Sequence, residues 1–477
     1  MSGEKSIKKN YVFNVLAQIV NIALPLITVP YVSRVLGPKG VGINSYTSAI
    51  VQYFALIGCL GLTTYGNRQI AYVRDDKEKM SRTFWSLVLL RMCTLGIALI
   101  LYIFIFGTNK QYGNVYLIQS VAIIAVIFDI SWLFMGNEDF KSLFTRGLLV
   151  KILCLVGIFV FVKDENDLWK YILLNNGIIL LGNLVMWIYV PKMVYKVKRS
   201  EIDIRPHILP AAKLFVPTIA TQLAQLIDKT MLGAISTEVQ TGYYEQSLKI
   251  TGFTISLVTA LGTVMLPRMS NAFANGRKEE MNKYFNTSLK AVSFIAVPMA
   301  FGIAGISNEF VPWFFGPKFT DVKLLLMILS IQMFFIAINN VLGMQYLVPR
   351  NKNKEYTIAI LMGALTNCLI NLVLINKFNA LGACVATVIA EIVITISELK
   401  IIKSDIAFKA YLRCLIKYVI SAIFMYMIVR VIGSFMGAGV LTTIVQGIIG
   451  IIVYEIMLII LKDELNSSIL KGILKRK

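Results

Sequence analysis

The chain offers almost nothing with which to hold a metal or close a disulfide. Its one histidine, His207, lies in a basic loop between Pro206 and Pro210, with no second histidine or nearby cysteine, a poor donor set for zinc. The six cysteines (Cys59, Cys93, Cys154, Cys368, Cys384, Cys414) all fall within or at the edges of apolar runs and form no CxxC pair. They read as small core packers, and no metal or cofactor is expected. Charge is equally scarce, at 15% against 57% hydrophobic residues, and the mean hydropathy of +0.71 lies outside the globular range. No Walker motif is present, so the chain carries no ATPase of its own. The first loop expected outside, Ser33–Gly40, contains no carboxylate, and the other outer loops are mostly under about fifteen residues. That leaves no platform for a membrane glycosyltransferase or polymerase, and no catalytic residue is expected.

What remains is apolar sequence. A helix needs about 20 apolar residues to cross about 30 Å of hydrocarbon. Runs of that length begin near Tyr11, Val41, Thr83, Asn114, Leu143, Leu168, Ala211, Gly242, Thr287, Val322, Tyr356, Ala380, Ala410 and Ala438. The expectation is an all-α membrane protein with about fourteen transmembrane helices. The first run continues to about Val32 with no small-residue cleavage site after it, so it reads as a span and not as a cleaved signal.

The formal charge of +21 suggests nucleic acid until the basic residues are placed. Both termini and the even-numbered loops hold 34 of the 47 Lys and Arg residues, including Arg68, Arg74, Arg146, Lys198, Arg268, Arg277, Arg350 and Lys400. The odd-numbered loops hold nine: Arg34, Lys39, Lys110, Lys163, Lys170, Lys318, Lys323, Lys377 and Arg430. Basic residues in short loops stay cytoplasmic. The alternation therefore expects both termini on the cytoplasmic side, and the basic excess serves topology and anionic lipid, with no need for nucleic acid.

The chain also repeats itself. Glu78-Lys79-Met80 with Phe84 is echoed by Glu279-Glu280-Met281 with Phe285, Gly42 by Gly242, and Arg68 by Arg268. Spans one to six and seven to twelve thus read as parallel repeats related by an axis along the membrane normal, an arrangement that puts a substrate site between them. The organisation expected is an N-lobe over 1–190, a cytoplasmic linker over 191–210, a C-lobe over 211–403, and two further spans with a basic tail over 404–477.

Polar residues inside the spans mark candidate contacts. Span one carries Asn14, Gln18, Asn21, Pro25 and Thr28 on one face, and span seven carries Thr218, Thr221, Gln225 and Asp228 at the same steps. Four of these positions repeat at an offset of 200. Interhelical hydrogen bonds are the simple explanation of any one of them; matching stripes point to a hydrated path. Span two adds Asn44, Ser48 and Gln52, and span eight adds Glu245 and Lys249, four apart and able to pair. A charge well inside a span should face water, a partner or a ligand. Lys249, Lys229 and Arg34 are the candidate cations for an anionic substrate, with Glu245, Asp228, Asn21, Gln18, Gln52 and Gln225 beside them. Arg91 and Lys417 are expected to snorkel toward the cytoplasmic surface. Asp129, Glu391, Glu398 and Glu455 read as partners of buried donors, each also able in principle to relay protons.

Three stretches carry a family resemblance. One is Pro30-Tyr31-Val32-Ser33-Arg34-Val35-Leu36-Gly37-Pro38, continuing through Gly40 and Gly42 to Tyr53-Phe54, Gly61-Leu62, Tyr65-Gly66 and Arg68. The second is Asp129-Ile130-Ser131-Trp132-Leu133-Phe134-Met135-Gly136 with Glu138, Phe140 and Thr145-Arg146. The third and looser is Asn339-Asn340-Val341-Leu342-Gly343 with Leu347 and Pro349. Together they resemble the bacterial oligosaccharide flippases, the Wzx-type polysaccharide transporters of the multidrug/oligosaccharidyl-lipid/polysaccharide superfamily. The resemblance implies two six-helix lobes in a V around a central cavity. It implies passage of an undecaprenyl-pyrophosphate-linked oligosaccharide from the cytoplasmic to the outer leaflet for surface polysaccharide assembly, beside a polymerase and glycosyltransferases. The alternatives are an ion-coupled multidrug antiporter of the same superfamily, which usually carries a carboxylate in span one where residues 11–33 have none, and a membrane enzyme of polysaccharide assembly.

Overall fold

The computed structural model describes the backbone of residues 2–402 and 408–468, and their side chains except 2–23, 216–221, 223–225, 260–261, 263–264, 408 and 409. Every regular element among the described residues is helical, as expected of a chain whose backbone polar groups must be satisfied within each segment in lipid. Ten stretches among them are long and apolar enough to cross a membrane. The chain divides into two compact units, Met1–Thr230 and Met231–Lys477.

In the first unit α1 (Ser2–Cys59) is 58 residues long, about 87 Å at 1.5 Å per residue, far beyond one bilayer. It is two helices: the backbone leaves the helical region at Gly37 (φ 65°, ψ 177°), a conformation suited to glycine, between the runs read from Tyr11 and Val41. There follow α2 (Leu62–Val73), α3 (Lys77–Phe106), the short α4 (Gly113–Gln119), α5 (Val121–Ile127) and α6 (Ser131–Gly136), then α7 (Phe140–Phe161), α8 (Leu168–Met186), α9 (Val190–Met193) and α10 (Arg205–Ile235). The N-cap carboxylate of Asp76 accepts from the backbone N–H groups of Glu78 and Lys79 and starts α3.

The second unit holds α11 (Glu238–Ala274), α12 (Lys278–Phe314), α13 (Val322–Asn339), a π-helical segment Asn340–Leu347, α14 (Asn353–Ile402), α15 (Phe408–Met436) and α16 (Val440–Ile460). The 50-residue α14 is again two helices, broken at Asn379 (φ 51°, ψ −131°), between the runs read from Tyr356 and Ala380. Irregularities recur along the chain. The break at Gly37 is matched by the gap between α10 and α11 at Ser236–Thr237. The gap between α5 and α6 precedes a positive φ at Glu138 (60°), and the π segment precedes one at Asn351 (59°).

The motif residues are largely packing devices. In the first unit a Cβ on Gly66 would stand 2.8 Å from the Trp132 ring, so only glycine lets α2 lie this close to the indole. Trp132 is fully buried beside Phe84 and Tyr65. Two expectations need correction. Arg91 does not snorkel: it is 2% exposed, with Nε donating to the Val126 carbonyl (2.8 Å) and Nη2 3.5 Å from Asp129. Where the α5–α6 gap interrupts the helix, the Val126 carbonyl accepts both from the Asp129 backbone N–H (3.2 Å) and from Arg91. Arg430 is not a loop residue but lies within α15, its Nη1 3.1 Å from Glu309, whose carboxylate also accepts from Gln446 (3.1 Å). That pairing ties α12, α15 and α16 together.

Candidate functional site

The candidate residues fall on both units, and each set is built by its own helices. In the first unit Arg34 is exposed on the last turn before the Gly37 break. Gln52 is exposed two turns from the end of α1. Its neighbour Tyr53 places its hydroxyl 3.2 Å from that of Thr230, which brings the second half of α1 to the stretch of α10 carrying Asp228 and Lys229. Asp228 is buried and Lys229 half-buried. The side chains of Gln18, Asn21 and Gln225, and with them most of the two polar stripes, lie outside the described residues.

In the second unit Glu245 and Lys249 pair across one turn of α11 with Nζ and Oε1 3.7 Å apart, and their side chains are 14% and 28% exposed. The separation is well beyond the 2.7–2.9 Å of a tight charge-assisted hydrogen bond.

A buried polar network in the first unit went unread in the sequence. The Gln119 amide donates to Asn44 (3.2 Å) and to Thr47 (3.2 Å), and its carbonyl accepts from Asn176 (3.0 Å). Asn44 is thus a helix-to-helix link, and its face cannot be assigned wholly to substrate. The signal was an amide embedded in each of three apolar runs. Between α7 and α8 runs an apolar groove of about 750 Å³, with Lys141, Thr145 and Arg146 at one end. Arg146 is anchored to Asn183 (2.7 Å), which in turn donates to the Ala125 carbonyl (2.6 Å). A cation at the mouth of an apolar trough has the chemistry to hold a lipid chain by its phosphate. The lone histidine has a structural role: its Nδ1 is 2.9 Å from the Tyr65 hydroxyl, and burial holds its pKa below the ordinary value, outweighing the opposite pull of Asp203.

Of the carboxylates read as partners of buried donors, Asp129 has Arg91 and Glu391 has the Asn339 amide at 2.7 Å. Glu398 does not fit: it is 0% exposed and neither of its oxygens has a hydrogen-bond donor among the described residues.

The family described as "Polysaccharide biosynthesis protein" matches residues 7–273. A putative O-antigen transporter of Escherichia coli (strain K12) is 24% identical over 406 residues, covering 84% of this chain and 97% of that protein. Among solved structures, the lipid II flippase MurJ in an inward closed conformation superposes with a TM-score of 0.76 at 19% identity, over 97% of this chain and 99% of that one. An inward-facing MATE-family multidrug transporter follows with a TM-score of 0.62 at 14% identity, over 82% and 95%.

Proposed function

The chain belongs to the polysaccharide biosynthesis protein family, and on that premise we propose that it is a flippase that carries a lipid-linked oligosaccharide across the membrane. The observation that carries the reading is the end-to-end similarity to an O-antigen transporter. The family match reaches through the first unit into α11, so the three candidate cations Arg34, Lys229 and Lys249 fall within it. The substrate class proposed is an undecaprenyl-pyrophosphate-linked repeat unit, moved by alternating access from the cytoplasmic to the outer leaflet.

The physical task is neutralisation without bond breaking. Pyrophosphate must leave water, and isolated charge in a low-dielectric medium is costly unless paired. Lys249, Lys229 and Arg34 supply positive charge along the route, Glu245 and Asp228 temper it, and the amides Gln18, Asn21, Gln52 and Gln225 meet sugar hydroxyls. Because no bond is made or broken, no catalytic residue is invoked. The groove between α7 and α8 suits the apolar tail of such a substrate. In this reading the lobes are 1–190 and 211–403, joined by 191–210 and followed by 404–477. Each half of α1 and of α14 is one span, α10 and α11 are one span each, and both termini are cytoplasmic. A polymerase and glycosyltransferases are the functional neighbours.

Complementation decides. Expressed in a bacterium lacking its own O-antigen flippase and supplied with a compatible repeat unit, the protein should restore surface polymer and leave drug sensitivity unchanged. Raised drug tolerance with no polymer would favour the multidrug antiporter, and sugar transfer by the purified protein alone would favour an enzyme.

A further inference from the structure

Glu398 deepens the transporter reading, on which this inference rests. It lies one turn from the end of α14, fully buried, with both carboxyl oxygens lacking a donor among the described residues. A buried carboxylate anion without a hydrogen bond or a counter-charge is among the costliest groups a protein can hold. Three other buried or half-buried carboxylates avoid that cost in visible ways: Asp129 through Arg91, Glu309 through Arg430 and Gln446, and Glu391 through Asn339. Glu398 has no such device.

Its surroundings are specific. The π segment Asn340–Leu347 passes over it, and a Cβ on Gly343 would stand 2.6 Å from its Oε1 and closer still to the Tyr356 ring. The bare Cα of Gly343 is therefore what lets the carboxyl and the phenol ring meet the segment. This accounts for the glycine of the Asn339-Asn340-Val341-Leu342-Gly343 stretch. The titratable groups within electrostatic reach are Glu391, two turns away on the same helix, and Tyr356 from the other half of α14. α13 contributes Asn339, which also accepts from Thr395 (2.5 Å), and α11 approaches through Gly262 against Asn340 and Gln345. No cation pairs with Glu398 among the described residues. π-helical insertions are rare and frequently lie at functional sites, and this one lies where a small repacking would change the donors offered to the carboxyl.

We propose that Glu398 is a proton-binding site of the transport cycle, holding a proton while enclosed beneath the π segment and releasing it when that segment repacks, so that a proton gradient can drive the lobes. Glu391, already satisfied by Asn339, stands as the next acceptor along the same helix face.

Two measurements test this on the full-length protein. The first is reaction with dicyclohexylcarbodiimide, an apolar reagent that requires a protonated carboxyl, in membranes or detergent. Mapped by mass spectrometry, the adduct on Glu398 should exceed those on Asp129 and Glu309 at least tenfold and disappear in Glu398→Gln. Equal or preferential labelling of the paired carboxylates would overturn the proposal. The second is surface polymer in the complemented strain. Glu398→Gln copies the protonated form in shape, so its abundance should match wild type while polymer falls at least tenfold; Glu398→Asp should keep part of the activity. Wild-type polymer from Glu398→Gln would mean that the carboxyl is only a buried filler. If the wild type itself restores no polymer, the flippase reading fails, and the carbodiimide result alone then decides the proton site.

Discussion

Replacing Lys249 separates substrate contact from structure, because the two roles differ in size. The Glu245–Lys249 pair spans 3.7 Å between partly exposed side chains one helical turn apart. Pairs of that kind contribute about 0.3–0.5 kcal/mol, so losing the pair should change stability by less than 1 kcal/mol. A contact between the ammonium and a pyrophosphate oxygen is a hydrogen bond to a charged group, worth about 1.5–3 kcal/mol net. At roughly 1.4 kcal/mol per factor of ten, that corresponds to a loss of one to two orders of magnitude in flipping. Lys249→Ala should therefore lower surface polymer by roughly ten- to a hundredfold while leaving membrane abundance close to wild type, and Lys249→Arg should retain much of the activity. Quantitative immunoblotting of the protein and of the polymer in the complemented strain measures both. If Lys249 serves only to neutralise Glu245, the double variant Lys249→Ala, Glu245→Ala would restore both readouts, and that rescue would refute the reasoning.

Three further outcomes are expected. Arg91→Leu removes the counter-charge of Asp129 and one of the two donors to the Val126 carbonyl, so it should destabilise the protein by about 3 kcal/mol; a thermal melt in detergent would show this, and the double change with Asp129→Asn should recover part of the loss. The pKa of His207 is depressed by burial, so the folded state favours the neutral ring. Its contribution is present above the ordinary value of 6.5 and is lost as pH falls below it toward the folded value. The melting temperature should therefore drop more between pH 7.5 and 5.5 for wild type than for His207→Gln, and equal drops would remove the Tyr65–His207 contact from the account. In a background without native cysteines, a cysteine at Thr108 or Ser236 should react with an impermeant thiol reagent outside intact cells and one at Lys198 or Gly276 should not; labelling at Lys198 would reverse the orientation.

The helical membrane character was legible because it depends on composition and run length alone, and lipid admits few backbone solutions. The breaks at Gly37 and Asn379 were legible too, as the points where one apolar run had to become two. Glu245 and Lys249 could be paired from their spacing, since an α-helix places positions four apart side by side. Tertiary structure decided the partners that come from other helices. Arg91 was expected to reach for the surface because its distance from the span end allowed it; what holds it inside is a helix gap at residues 128–130 on a different element. Arg430 was counted in a loop, and its carboxylate lies 121 positions away on α12. Asn44 was assigned to a water-facing stripe, and the amide of Gln119 claims it. Glu398 was the converse: by sequence it was one more embedded carboxylate with a partner to be found, and the packing of α14 against the π segment gives it none among the described residues. A sequence fixes which side chains share a helix face through the 3.6-residue period, but which faces meet depends on how the helices pack, and the partner of a buried charge is settled there.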